Sequence, residues 1–132
     1  MMKYLAVFAL SGALPYGAAF AAQAPVRGKD PVVGVASWYS RADCGVKKTT
    51  ANMEKFSDIQ HTCAVWNLPF NTLVRVTNLV NGKSVVVRVN DRGPAKHLVR
   101  KGRIIDLTKG AFLKIADPGD GLIPIKICAL RG

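Results

Sequence analysis

Hydrophobic and polar residues alternate along much of the chain with a period of two, which is typical of β-strands with one buried face. Residues 32–39 read VVGVASWY, residues 72–77 read TLVRVT and residues 84–90 read SVVVRVN, and all three runs contain several β-branched side chains. Asn81 and Gly82 lie between the last two runs, and both residue types tolerate a positive φ in a tight turn. The pattern predicts three strands, the second and third joined as a hairpin.

The C-terminal part continues the strand pattern with one short helical interruption. Residues 103–107 predict a strand, and Thr108 is placed to cap a short helix over residues 109–115. After a turn rich in Gly, residues 122–130 predict a closing strand, in which Pro124 must lie at an edge or a bulge because proline has no N–H for the ladder. Several short strands with little helix favour an all-β fold closed into a small barrel, since closure removes exposed strand edges.

The first 22 residues have the organisation of a secretory signal peptide. Lys3 precedes an apolar run that ends in the small-residue sequence AFAA. A membrane-retained helix is the alternative, but Pro and Gly interrupt the run, and a spanning helix needs about 20 apolar residues. We therefore expect a signal peptide at 1–22, a flexible lead at 23–32 and one domain at 33–132, in a protein exported to the periplasm or the cell exterior without a stable membrane anchor.

The chain is strongly basic, with 19 Lys and Arg against 8 Asp and Glu and a formal charge of +11. This surplus favours an anionic partner, such as nucleic acid, acidic lipid headgroups or the polymers of a bacterial cell wall. The export signal argues against nucleic acid, and the sequence carries no nucleic-acid-binding signature. We therefore expect no nucleic acid partner.

Three cysteines, Cys44, Cys63 and Cys128, would enter an oxidising compartment on export. We expect one disulfide and one remaining thiol, and of the three pairings we slightly favour Cys44 with Cys63. That pairing would close a loop of about 20 residues and stabilise the fold by about 3 kcal/mol. The sulfurs are widely separated and no C-x-x-C or paired-histidine spacing occurs, so we expect no metal site and no cofactor.

Two acidic residues stand where a site could be built. Asp91 ends a buried-looking strand and precedes Arg92 and a Gly-Pro turn, and Glu54 lies in the loop of residues 49–56. Cleavage of a glycosidic bond needs a proton donor at the leaving oxygen and usually a second carboxylate, so two acids in one groove are the minimum for that chemistry. The structural alternatives are that Asp91 accepts hydrogen bonds from turn amides and that Glu54 is an exposed acid paired with a lysine.

Several blocks, in the same order, resemble the rare lipoprotein A (RlpA) group of lytic transglycosylases. The matching segments are GVASWY at 34–39, TANMEKF at 50–56, LPFNTLVRVTN at 68–78, NGKSVVVRVNDRGP at 81–94 and GRIIDLT at 102–108. The resemblance implies a small six-stranded double-psi β-barrel with one or two short helices. It also implies an endolytic enzyme that cleaves the bond between N-acetylmuramic acid (MurNAc) and N-acetylglucosamine (GlcNAc) in peptidoglycan glycan strands without water, leaving 1,6-anhydro ends.

By the same resemblance Glu54 and Asp91 are the functional pair, and we assign Asp91 as the acid/base and Glu54 as the group that stabilises charge or positions sugar. The proton donor of such a pair needs a pKa raised by burial or by the other carboxylate. The candidate substrate-binding residues are Trp38, Tyr39, Asn52, Arg92 and Trp66. Asp106 is assigned a structural role, bracing backbone amides. We expect a monomer whose partner is the peptidoglycan glycan strand.

Three departures from the family pattern fall at this site. Met53 replaces a glycine in the loop that carries Glu54, Val65 stands at the position of a histidine, and Trp66 stands where a lysine or arginine is common. Because valine cannot donate, accept or titrate, a second hypothesis is a non-catalytic cell-wall glycan-binding protein of the same barrel, similar to the expansins. A third is an exported antimicrobial or inhibitor protein that resembles the barwin-like barrels. The two acids favour the enzyme, and the missing histidine favours the binding protein.

Overall fold

The structure, a computed structural model, describes residues 30–130, which form six strands, two short helices and one 3₁₀ turn. The elements in chain order are β1 (Val32–Tyr39), β2 (Thr62–Ala64), β3 (Leu73–Asn78), β4 (Ser84–Asp91), α1 (Lys96–Val99), β5 (Arg103–Thr108), α2 (Lys109–Phe112), the 3₁₀ turn (Pro118–Asp120) and β6 (Ile123–Ala129). The predicted signal peptide at 1–22 and the part of the predicted lead at 23–29 lie outside the described residues. Within 30–130, no helix has the length and apolar character that a membrane span requires.

The six strands close into a barrel in the order β1-β5-β2-β4-β3-β6. The pairs β1–β5 and β2–β4 are parallel, and the other four neighbouring pairs are antiparallel. The predicted all-β class and the small double-psi barrel are confirmed. The predicted hairpin is confirmed as well, with Gly82 at a φ of 77° in the connection between β3 and β4.

The inside of the barrel is filled by alternate residues of its strands, as the period of two predicts. The main contributors from three of the strands are Val74 and Val76 of β3, Val85, Val87 and Val89 of β4, and Ile123, Ile125 and Ile127 of β6. Phe112 and Ile115 are also fully buried in this core. Burial of each such side chain contributes about 1.5–3 kcal/mol to the free energy of unfolding. The strands that carry the candidate site are therefore backed by a close-packed, rigid core.

The short helix and the strand that contains Pro124 are formed as predicted, but their bounds differ from the prediction by a few residues. The amide of Ala111 donates to the Thr108 hydroxyl at 3.3 Å, which confirms Thr108 as the N-cap, but α2 ends at Phe112 rather than at residue 115. Pro124 pairs with Val35 of β1 and precedes the first β6 residue that pairs with β3. The missing N–H of Pro124 therefore falls at the end of the β3–β6 ladder, where it is tolerated.

The favoured disulfide between Cys44 and Cys63 is not formed. Cys63 lies in the middle of β2, fully buried between Val89 of β4 and Leu107 of β5, whereas Cys44 is exposed in the loop after β1. Burial raises the pKa of the Cys63 thiol well above its usual value, so the group stays protonated and packs as a small apolar side chain. The prediction failed because the order of cysteines along the chain does not reveal which of them faces the core.

Candidate functional site

The loop between β1 and β2 forms a tight turn that carries Glu54. Within it the amide of Thr50 donates to the carbonyl of Glu54 at 2.8 Å, and the amide of Met53 donates to the carbonyl of Thr50 at 2.9 Å. Met53 has a φ of 71°, a left-handed conformation that glycine adopts freely and other residues adopt at a cost of about 1–2 kcal/mol. Met53, which replaces the family's glycine, therefore keeps the backbone conformation that glycine would adopt there.

Replacing Met53 with Gly is expected to stabilise the protein, by about 0.5–1 kcal/mol, because relief of the left-handed strain outweighs the extra entropy of glycine in the unfolded chain. The Met53 side chain is 78% exposed, so little packing is lost. Urea unfolding measures the change, and Met53→Ala, which keeps a Cβ in the strained conformation, is the control expected to gain nothing. A glycine variant no more stable than the alanine variant would contradict this explanation.

Two hydrogen bonds fasten this turn to the end of β4. The amide of Asn52 donates to the carbonyl of Asn90 at 3.3 Å, and the amide of Ala51 donates to Asp91 Oδ1 at 2.9 Å. Because the turn also carries Glu54, the two acids predicted from the sequence are brought to the same rim of the barrel. The turn and the strand end are thus one structural unit rather than a loop near a strand.

Glu54 forms a bidentate ion pair with Arg88 of β4. Arg88 Nη1 donates to Glu54 Oε2 at 2.7 Å and Arg88 Nη2 donates to Oε1 at 2.9 Å, while Nη1 also donates to Asn71 Oδ1 at 3.0 Å. The side-chain amides of Asn90 and Asn52 donate through Nδ2 to the same carboxylate at 3.1 and 2.9 Å. These hydrogen bonds, first from Arg88 and then from Asn90 and Asn52, lower the pKa of Glu54 to about 2. Glu54 is therefore a fixed carboxylate rather than a proton donor near neutral pH.

Asp91 accepts hydrogen bonds at both carboxylate oxygens. The Tyr39 hydroxyl donates to Oδ2 at 3.1 Å, and the amides of Ala51 and Arg92 donate to Oδ1, each at 2.9 Å. Burial, followed by the negative charge of Asp91, raises the pKa of the Tyr39 phenol well above its usual value, so the phenol remains protonated. Asp91 thus combines the turn-bracing contacts expected of a structural aspartate with a direct contact to a neutral phenol.

An open cavity of about 450 Å³ lies over Asp91. Its lining residues come from β1, the following loop, the turn and β4, and they are Tyr39, Gly45, Val46, Lys47, Thr49, Thr50, Ala51, Met53 and Asp91. Glu54 and Asn52 do not line it, although both belong to the turn that does. Of the predicted site residues, the structure therefore brings Tyr39 and Asp91 to the cavity wall and places Glu54 and Asn52 in the turn that borders it.

A third acid, Asp106 of β5, lies close to this site. Its carboxylate accepts hydrogen bonds from the Ser37 hydroxyl at 2.5 Å and from Arg103 Nε at 3.1 Å, so its partners are side chains and not the backbone amides expected from the sequence. Ala64 of β2 pairs with Asp106 on one side and with Asp91 on the other. Asp106 and Asp91 therefore occupy equivalent positions in neighbouring ladders, a proximity that strand periodicity alone could not reveal.

Two of the predicted substrate-binding residues point away from the cavity. The Trp38 indole N–H donates to the carbonyl of Pro118 at 3.0 Å, and its ring packs against Phe112 with the centroids 6.4 Å apart. Trp38 therefore supports the packing of the segment after β5.

The guanidinium of Arg92 also points away. Its Nη1 donates to the carbonyls of Val65 and Leu68 at 3.0 and 2.7 Å, and the group stacks on Phe70 at 4.0 Å from the ring centroid. The side chain therefore fastens the segment after β2 and does not turn its charge onto the Asp91 carboxylate.

The segment after β2 contains the departures Val65 and Trp66. Val65 is 1% exposed and belongs to the core, and His61 does not line the cavity. Trp66 is half-buried, and its indole N–H donates to the carbonyl of Pro94 at 2.7 Å. Among residues 30–130, no group of three or more His, Cys, Asp or Glu side chains is arranged to hold a metal ion.

One family model and several curated proteins match the chain, and their descriptions agree. The family model described as lytic transglycolase matches residues 32–127. The probable endolytic peptidoglycan transglycosylase RlpA of Nostoc sp. is 47% identical over 94 residues, which are 71% of this chain and 24% of that protein. The endolytic peptidoglycan transglycosylases RlpA of Campylobacter jejuni and Pseudomonas aeruginosa are 44% and 43% identical, covering 71% and 76% of this chain and 32% and 30% of those proteins. The chain thus spans about a quarter to a third of the length of these curated relatives.

Solved structures of the same barrel are more distant in sequence. A Streptomyces papain inhibitor superimposes with a TM-score of 0.61 at 22% identity, covering 77% of this chain and 96% of the inhibitor. An expansin of Clavibacter michiganensis, solved as a mutant in complex with cellohexaose, superimposes with a TM-score of 0.57 at 24% identity, covering 77% of this chain and 51% of the expansin. At these identities the likeness establishes the barrel alone.

Proposed function

Since the chain belongs to the RlpA-like lytic transglycolase family, we propose that it is an endolytic peptidoglycan lytic transglycosylase. It cleaves the MurNAc–GlcNAc bond within glycan strands and leaves 1,6-anhydro ends. The observation that carries the proposal is Asp91, a carboxylate at the wall of an open cavity, held by Tyr39 and by the turn whose other acid is Glu54. The proposal includes export to the periplasm or beyond, because the polymer lies outside the cytoplasm, and action as a monomer without a cofactor.

Asp91 is the proposed acid/base of the reaction. In its protonated form it donates a proton to the glycosidic oxygen as the bond from that oxygen to C1 of MurNAc breaks. The resulting carboxylate takes the proton of the C6 hydroxyl of the same MurNAc as that oxygen bonds to C1 and closes the 1,6-anhydro ring. No water is consumed, and Asp91 ends the cycle protonated as it began.

Tyr39 can form a hydrogen bond with Asp91 in both protonation states of the carboxyl group. A phenol hydroxyl is a donor and an acceptor, so it donates to Oδ2 when Asp91 is a carboxylate and accepts from Oδ2 when the proton is there. Because two backbone amides already donate to Oδ1, the exchangeable proton is assigned to Oδ2. Tyr39 is thus a positioning residue that keeps Oδ2 in place through the cycle.

Glu54 is a positioning residue in this scheme. Its charge is compensated by Arg88, so it has little left to stabilise positive charge on the sugar. What the pair does is hold the turn of residues 50–54 against β4, and that turn supplies the Ala51 amide to Asp91. The contacts therefore support a role in positioning the turn and Asp91, which differs from both roles expected from the sequence, stabilising charge and positioning sugar.

The test is product analysis with the purified protein. Glycan strands stripped of stem peptides, incubated with the protein, are expected to give shorter strands whose muramic ends are 1,6-anhydro by mass spectrometry, 18 Da lighter than hydrolytic ends because no water is added. Reducing ends would show a hydrolase and would contradict the intramolecular step. Cosedimentation with the polymer, measured in parallel, reports binding separately.

The second candidate is a non-catalytic, expansin-like glycan-binding protein, and the burial of Val65 at the family's histidine position favours it. A buried aliphatic side chain supplies no proton and no hydrogen bond to substrate. Cosedimentation with the polymer and no anhydro product from the parent protein would establish this candidate in place of the enzyme.

A further inference from the structure

A second concavity, of about 310 Å³, lies between the segment after β2 and α1. Its lining residues come from the segment after β2 and from α1 with the residue that follows it, and they are Trp66, Asn67, Lys96, Val99 and Arg100. We refer to it as the Trp66 pocket. It combines a flat aromatic ring, a side-chain amide, two cations and one aliphatic wall.

The Trp66 pocket is tied to the Asp91 end of β4 by the backbone. The amide of Val65, which precedes Trp66, donates to the carbonyl of Asp91 at 3.2 Å. The Trp66 indole N–H donates to the carbonyl of Pro94, three residues after Asp91, at 2.7 Å. Three residues of extended chain span at most about 11 Å, so the Pro94 residue that holds the Trp66 ring lies within that distance of Asp91.

Within residues 30–130, no carboxylate forms a salt bridge with the cations of the Trp66 pocket. The salt bridges within the described part of the chain are Arg88–Glu54 and Arg103–Asp106, so neither Lys96 nor Arg100 is paired with a carboxylate. Both side chains are exposed, and no Asp or Glu occurs between positions 91 and 106. The Lys96 ammonium stands 5.0 Å from the centroid of the Trp66 ring, which brings the cation and the aromatic face into one wall.

We propose that the Trp66 pocket is a subsite for an N-acetylhexosamine ring that bears a carboxylate, an inference that rests on the proposed function. Trp66 offers a flat apolar surface to one face of the sugar, and its hydrogen bond to Pro94 fixes the ring in position. Asn67 provides an amide for the acetamido group, and Lys96 and Arg100 pair with the carboxylate. Trp66, which stands where the family commonly has lysine or arginine, thus provides a stacking surface. The positive charges come instead from Lys96 of α1 and from Arg100.

The carboxylate has two sources in peptidoglycan. In a strand without stem peptides it is the lactyl group of MurNAc, and in a peptide-bearing strand the lactyl group is an amide and the free carboxylates lie further out on the peptide. Both sources present the same chemistry to Lys96 and Arg100. Chitotetraose has the hexosamine rings and acetamido groups but no carboxylate, and is the neutral reference ligand.

The experiment measures dissociation constants by calorimetry for three ligands: chitotetraose, a peptide-free GlcNAc–MurNAc tetrasaccharide and the same tetrasaccharide with stem peptides. To keep the ligands intact, binding is measured on the Asp91→Asn protein, whose fold is checked first. At low salt at least one carboxylate ligand is expected to bind about tenfold more tightly than chitotetraose, and the tighter of the two identifies the source. The preference is expected to fall as salt rises, because exposed charges are screened.

Variants in the same background assign the effect to the pocket. Lys96→Gln with Arg100→Gln is expected to abolish the preference and leave chitotetraose binding unchanged, whereas Trp66→Ala is expected to weaken all three ligands. The control, Lys83→Gln with Lys126→Gln, removes the same two charges at exposed positions that do not line the pocket, and it is expected to leave the preference for the carboxylate ligands unchanged. Equal affinity for all three ligands, a preference that survives the Lys96→Gln and Arg100→Gln substitutions, or an equal loss of preference in the Lys83→Gln and Lys126→Gln control would overturn the proposal. These outcomes are independent of product formation, which alone tests the proposed enzyme.

Discussion

Replacing Asp91 with Asn is expected to reduce the rate of anhydro-product release by about a thousandfold, within the range that general acid–base groups contribute. Asn is isosteric and its carbonyl oxygen can still accept from the amides of Ala51 and Arg92, so the turn and the strand end keep their arrangement. The amide cannot donate a proton and then take one back, which is what the proposed cycle requires. Quantification of anhydro ends by mass spectrometry at equal protein concentration measures the loss.

The controls for this substitution separate chemistry from folding and charge. The Asn variant is expected to unfold at a similar urea concentration and to cosediment with the polymer as the parent does. Asp30→Asn removes an equal charge at the exposed start of the described chain and should leave the rate unchanged. Retention of activity in Asp91→Asn together with its loss in Asp106→Asn would move the acid/base assignment to Asp106, whose position in the next ladder is equivalent.

The fold was largely predictable because its strands are long enough to show their period. β3 and β4 alternate over six and eight residues, and the Asn81-Gly82 turn between them demands a left-handed residue that glycine supplies. β2 could not be predicted in the same way, since it has three residues, all of them buried, and so has no period to read. It is a strand because β4 and β5 hold it on both sides, and such tertiary pairing leaves no local signal.

The sequence singled out the two acids of the candidate site but not the contacts that connect them. Asp91 at a strand end and Glu54 in a polar loop were recognisable, and the family resemblance paired them. The bonds that bring them together run through the Ala51 amide and through Arg88, and neither is visible in residue type or spacing. The direction of a long side chain is similarly hidden, which is why Arg92 and Trp38 were expected in the groove and lie against carbonyls elsewhere.

Replacing Glu54 with Gln is expected to slow product release by about ten- to a hundredfold, less than the loss in Asp91→Asn. A shift of about 1 Å in a supporting group can cost about a hundredfold in rate, and the neutral side chain gives up the bidentate pair that holds the turn on β4. Because Glu54 has a pKa of about 2 and is ionised throughout the working range, the pH dependence of the rate is expected to keep its shape in the variant. A loss as large as that of Asp91→Asn, or a changed pH profile, would instead make Glu54 a catalytic group.

The lowered pKa of Glu54 also predicts how the effect of Glu54→Gln on the free energy of unfolding changes with pH. Folding depresses the pKa of Glu54 from 4.5 to about 2, so the stabilisation it provides is complete above pH 4.5 and is lost as the pH falls towards 2. The side chain is about one-third exposed, so solvent screening limits the contribution to about 1 kcal/mol. Urea unfolding should therefore show Glu54→Gln less stable than the parent at pH 7 and closer to it at pH 3. A constant difference across that range would mean that the ion pair with Arg88 does not stabilise the turn, and the argument for Glu54 as its anchor would fail.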